Sequence, residues 1–234
     1  MNQAYSMPTA VPVSQVGVET RASFITKTYA HLLGAIVAFT GIEVFLFTSG
    51  LAEPIASAML GVSWLAVLGA FMVVSWIASR AAERAESLTV QYAALAAFIV
   101  AEALIFVPLL YIAFVTVPGA IQTSALITLV AFAGLTWVAF TTRKDFSFLG
   151  GIVRWGMVLA LVAIVGGAIF GFQLGTFFSV AMVGLAGAAI LYDTSNVLHH
   201  YPQGRYVAAS LQLFASVALM LWYIIQLVMS FSSD

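Results

Sequence analysis

Cysteine is absent from the 234 residues, and only 7% of them are charged. Without cysteine there is no disulfide framework, no thiolate nucleophile and no Cys-ligated zinc or iron–sulfur site. Soluble domains carry roughly a quarter charged residues, so this composition excludes a soluble globular chain. An excess of one charge sign is missing too. Eight Lys and Arg against nine Asp and Glu leave a net charge of -1, which excludes a nucleic-acid backbone as a partner. What is abundant is apolar: 63% of the residues are hydrophobic, and the partner they imply is the lipid bilayer.

A bilayer crossing takes roughly 20 apolar residues, so the chain has length for about seven. The first 23 residues contain Pro8 and Pro12 but no apolar core, and read as a short disordered tail rather than a cleavable signal peptide. From Phe24 onward long apolar runs are broken at SGLAEP (49–54), VPG (117–119) and HHYPQG (199–204), where Gly, Pro and charge stop helices. The pattern predicts a seven-helix transmembrane domain over 24–230, with spans at about 24–49, 54–79, 87–114, 119–142, 146–170, 176–199 and 205–230. The runs lack the alternation of an outer-membrane barrel. The fold class is therefore all-α, an integral membrane bundle.

Arg21, Lys27, Arg80, Arg84, Arg143, Lys144, Arg154 and Arg205 all fall on one side of such a bundle. By the positive-inside rule that side is cytoplasmic, which puts the N-terminus inside and, after an odd number of crossings, the C-terminal SFSSD outside. Gly167 with Gly171, and Gly184 with Ala188, have the small-residue spacing that lets helices approach closely. They read either as a close-packed core around the fifth and sixth spans or as the ordinary frequency of Gly and Ala in membrane helices.

An ionisable side chain near the bilayer centre costs at least about 2.5 kcal/mol on insertion scales, so Glu43, Glu102 and Asp193 are site candidates. Glu43, near the outer end of the first span, reads mainly as an interfacial carboxylate. Glu102 lies near the midplane, six residues before Pro108, and reads equally as a neutral packing residue or as a proton or cation site. Asp193 lies about six residues from the basic end of the sixth span. Gln212, Arg80 and His31 should reach a similar depth, and Asn196 shares its helical face. The expectation is a polar cluster with an Asp193–Arg80 gate or ion site.

Other chemistries find little support. His199 and His200 are neighbours that point apart on a helix, and no metal site is expected from them. Lys27 and Lys144 lie at helix ends, so no mid-span lysine offers a Schiff base. No nucleophile with a base, metal cluster or phosphate loop stands out, so neither an enzyme nor a bound cofactor is expected.

TTRKDFSFLGG (141–151), followed by ILYDTSNVLHH (190–200) and ASLQLF (209–214), resembles the bacterial YccA branch of the Bax-inhibitor transmembrane family. The first motif reads as a cytoplasmic turn in which Asp145 caps the helix that follows. The resemblance implies a seven-helix bundle with a central sixth helix. For some members it implies a pH-sensitive calcium leak, controlled by paired aspartates on the sixth and seventh helices near an arginine of the second. Asp193 matches the first aspartate and Arg80 the arginine, which makes Asp193 a weak Ca2+ site and Ca2+ or H+ the ions expected to pass. Phe214 stands where the second aspartate would be, so a proton-sharing pair cannot form there. The resemblance further implies location in the inner membrane and a link to its membrane-bound ATP-dependent quality-control protease, in a modulating or stress-protective role.

Overall fold

The computed structural model describes residues 11–232. Residues 1–10, the first part of the expected tail, lie outside the described residues. Eight α-helices follow one another: α1 (Val18–Thr48), α2 (Ala52–Leu60), α3 (Trp64–Arg84), α4 (Leu88–Thr116), α5 (Ala120–Thr142), α6 (Leu149–Phe170), α7 (Gly175–His199) and α8 (Tyr206–Ser232). All except α2 are long and apolar enough to cross a membrane. In hydrocarbon every backbone N–H and C=O must be satisfied within the protein, which a helix does for itself. The chain is a multi-pass membrane protein.

The expected second span, 54–79, is divided. Pro54 lies in the first turn of α2, where a missing N–H costs no intrahelical bond, so SGLAEP opens a helix as well as closing α1. That helix ends at Gly61, and its nine residues reach only about 14 Å. It packs on α4 through Ala52 and Ala56. The crossing itself is α3, which carries Arg80 and Arg84 in its last turns.

α4 and α8 are the most enclosed spans. Both are apolar around most of their circumference, as core helices are. Phe98, Phe106, Leu211 and Phe214 lie in the main buried cluster between them and α1. α7, the sixth span, packs along α8 and leaves more of its surface outside.

The small-residue pairs do not mark the helix contacts. Gly171 ends α6 with a left-handed φ of 76°, a helix cap rather than a face, and nothing lies within 4 Å of where a Gly184 side chain would begin. The close approach between α6 and α7 comes instead at Gly150 and Gly156. A Cβ there would meet the Tyr192 ring at 2.7 Å and Leu185 Cδ1 at 2.5 Å.

Residues 11–23, expected to be part of a disordered tail, are folded. Pro12 forms a bridge with Pro202, Val13 is fully buried, and the Val13 N–H donates to the Tyr201 carbonyl at 2.8 Å. Ser14 Oγ and Arg21 Nη2 donate to the carbonyls of His199 (2.7 Å) and Leu198 (2.8 Å). These are carbonyls left without intrahelical partners at the end of α7. The segment is ordered because it supplies the donors that this helix end lacks.

Candidate functional site

α7 and α8 form an antiparallel hairpin around residues 200–205, and polar side chains pair across it at several depths. Thr176 meets Ser230 at 2.9 Å, and Ser179 Oγ donates to Gln226 Oε1 at 3.0 Å. Asp193 accepts a hydrogen bond from Ser216 Oγ at 2.5 Å on Oδ2. Asp193 is 9% exposed and Ser216 8%, so this pair is sealed within the bundle. Near it the buried hydroxyls of Tyr29, Thr136 and Thr194 lie beside one another, within interaction range of the Tyr29 phenol.

The expected cluster around Asp193 is dispersed. Arg80 forms no ion pair with it; the guanidinium sits on the exposed side of α3, 5.2 Å from the Trp76 ring centre. Trp76 is one turn earlier on the same outward face, and cation–π contact holds the arginine there. Gln212 Nε2 donates at 3.4 Å to Glu83 instead. Asn196 contributes its backbone carbonyl to the N–H groups of His200 and Tyr201. His31 belongs to another group, between α1, α4 and α8. Its Nδ1 donates to the Lys27 carbonyl at 2.7 Å, its Nε2 lies 2.9 Å from Tyr92 Oη, and the Tyr206 ring lies tilted against it with centroids 5.1 Å apart.

Equal spacing from the α7–α8 connection would pair Asp193, six residues before the end of α7, with Gln212, six residues after the start of α8. The partner, which the sequence reading missed, is Ser216, one turn farther along the same face of α8. Phe214 lies two residues earlier, about 200° around the helix. Its ring packs against Phe39 and Phe98 at 6.0 and 6.1 Å, away from the carboxylate.

Glu43 is enclosed by the protein rather than exposed at the end of α1. It is 7% exposed, and neither carboxyl oxygen has a hydrogen-bond partner among the described residues. Neighbouring α2, which the sequence reading merged into a span, adds cover at that end of α1.

The two motifs behind the family resemblance dock on each other at the basic end. Asp145 Oδ1 accepts from the Ser147 N–H at 2.9 Å and from Ser195 Oγ at 3.3 Å, while Oδ2 pairs with His200 at 3.0 Å. The Phe146 N–H donates to Ser195 Oγ at 2.9 Å. Asp145 thus closes the turn before α6 and ties it to α7, rather than capping α6 directly. The Ser147 N–H, followed by His200, holds the Asp145 carboxyl below its ordinary range. The Tyr201 phenol nearby is pushed above its range by burial, and next by the Asp193 charge.

Glu102 lines a cavity of about 1070 Å³ bounded by α3, α4, α6, α7 and α8. It is 6% exposed and makes no hydrogen bond or ion pair among the described residues. Ser216 and Gln212 line the same cavity, so its wall reaches the hydroxyl that holds Asp193. Among the described residues no three His, Asp or Glu side chains form a metal-holding group.

A family model described as inhibitor of apoptosis-promoting Bax1 matches residues 21–233. An uncharacterised protein of Pseudomonas aeruginosa is 36% identical over 103 residues, 42% of this chain and 45% of the relative. The modulator of FtsH protease YccA of Escherichia coli K12 is 35% identical over 78 residues, 33% of this chain and 35% of the relative. The inner membrane protein YccA of another E. coli strain matches to the same extent. The matched stretches thus span less than half the length of these relatives.

Proposed function

The chain belongs to the Bax-inhibitor family, and on that premise we propose that it modulates membrane-protein quality control in the bacterial inner membrane. It acts without catalysis, on a membrane-bound ATP-dependent protease. The observation that carries this reading is the likeness to the E. coli modulator of FtsH protease. The N-terminal anchor supports it. Residues 1–10 directly precede a segment fixed to the end of α7 by Val13, Ser14 and Arg21. That is the basic end of the bundle, cytoplasmic by the positive-inside rule, where a cytoplasmic ATPase would meet the chain. The test is co-purification from inner membranes with a tagged protease, using the full chain and a chain lacking residues 1–10. Binding by the full chain and its loss on truncation are the expected results; equal recovery of both sinks the role of the terminus, and recovery of neither sinks the partnership.

A cation leak is the second reading. The observation favouring it is the placement of Ser216 between the Asp193 carboxylate and the cavity that also holds Glu102. Against it, Asp193 has one hydroxyl partner and no second carboxylate, few oxygens for Ca2+, which takes six to eight. Calcium influx into dye-loaded liposomes that changes in Asp193→Asn supports the leak. Influx equal to that of empty liposomes removes it.

A further inference from the structure

The helices around the Glu102 cavity pack in the order α3, α4, α8, α7, α6, each on the next, but α6 does not close the ring against α3. Trp76 of α3 and Met157 of α6 both line the cavity and are 60% and 41% exposed, so they form the rim of an opening. Both residues lie within helices long and apolar enough to cross a membrane. The cavity therefore opens sideways, toward hydrocarbon.

Its lining is mostly apolar and aromatic, with neutral polar side chains such as Gln212, Ser216 and Gln226 and one carboxyl group, Glu102. No Lys, Arg or His contributes to it. Glu102 is the fifteenth of the 29 residues of α4, half-way across the bilayer. Phe98 and Phe106 lie four residues to either side and so share its helical face. Beyond Phe106 the aromatic wall continues with Trp222, edge-on at 5.0 Å, which stacks on Trp64 at 5.8 Å. A buried carboxyl with no partner, set between aromatic faces, attracts a positive charge by ion pairing and by the ring quadrupoles.

The route decides which cation. A small hydrated ion crossing hydrocarbon to this opening loses its water at great cost. A cation whose charge is covered by apolar groups dissolves in the bilayer and keeps its hydrophobic gain on entering. We propose that the cavity is a binding site for a lipophilic organic cation, entering from the bilayer between α3 and α6, its charge against Glu102 between Phe98 and Phe106 and its apolar body against Trp64 and Trp222.

The test uses purified full-length protein and tritiated tetraphenylphosphonium. Saturable binding is expected, displaced by methyltriphenylphosphonium but at least about tenfold less well by neutral triphenylphosphine, which has the same three rings and no charge. Glu102→Gln, checked for an unchanged melting temperature, weakens binding by about tenfold or more. The inference is overturned by absence of saturable binding, by equal displacement with the neutral analogue, which would make the cavity a slot for lipid chains, or by unchanged affinity in Glu102→Gln. If that variant does not fold, the comparison of charged and neutral competitors on the wild type decides alone.

Discussion

Ser216 Oγ donates a 2.5 Å hydrogen bond to Asp193 Oδ2, joining α8 to α7 in a part of the bundle where both residues are buried. Removing a donor from a buried carboxylate costs about 1.5–3 kcal/mol, the range for hydrogen bonds to charged groups. Ser216→Ala is expected to lower stability by that amount. Ser210→Ala serves as the control, because the Ser210 hydroxyl returns to the Val207 carbonyl of its own helix and should cost less. Chemical denaturation in mixed micelles measures both; equal costs would show that the Asp193 contact contributes nothing.

Phe214→Asp puts back the residue that the family pattern leads one to expect, yet it should not create a proton-sharing pair. Position 214 is 2% exposed and faces Phe39 and Phe98. A carboxylate there loses the aromatic packing and is buried without a partner, a loss of about 3–5 kcal/mol. Thermal melting should fall sharply. A stable variant with calcium flux that switches on between pH 8 and 6 would show that α8 can rotate to bring position 214 to Asp193.

The Asp145 staple has a defined pH dependence. Its carboxyl titrates below the ordinary carboxylate range in the folded protein, through the Ser147 N–H first and His200 among the rest. A group whose folded pKa is depressed stabilises the fold above its unfolded value, about 3.9, and the contribution disappears as pH falls through the folded value. Asp145→Asn should therefore be less stable than wild type at pH 5, with the gap shrinking below about pH 4. Melting curves of both proteins from pH 5 to 3 give the comparison, and a gap that stays constant over that range rules the staple out.

Gly150 and Gly151 are neighbours with opposite surroundings. A Cβ at Gly150 meets the Tyr192 ring at 2.7 Å, whereas nothing lies within 4 Å at Gly151. Gly151→Ala should be neutral or stabilising by up to about 1 kcal/mol, the helix preference of Ala over Gly. Gly150→Ala should be destabilising, because the Tyr192 ring must move and α6 must separate from α7. Melting temperatures that shift equally in both variants would remove the claim that α6 and α7 meet at Gly150.

The crossings were legible because lipid imposes one rule on every segment: a run of about 20 apolar residues that satisfies its own backbone is a helix. The positions of α1 and α4 to α8 and the one-sided placement of the eight cations follow from the order of residues along the chain. Where the sequence reading failed, the deciding contact lay between distant segments. The Asp193–Arg80 pair was argued from depth, which places a residue along the bundle axis but does not say which way its helix face turns. Trp76 drew Arg80 outward, and the packing of α8 on α7 brought Ser216, one turn beyond Gln212, to Asp193. Residues 11–23 looked too polar to fold, yet they order by donating to the end of α7, 177 to 185 positions away for Arg21 and Ser14. The opening between α3 and α6 is of the same kind. Composition fixes that both helices are apolar, but only packing determines that α6 rests on α7 and leaves Glu102 facing a cavity.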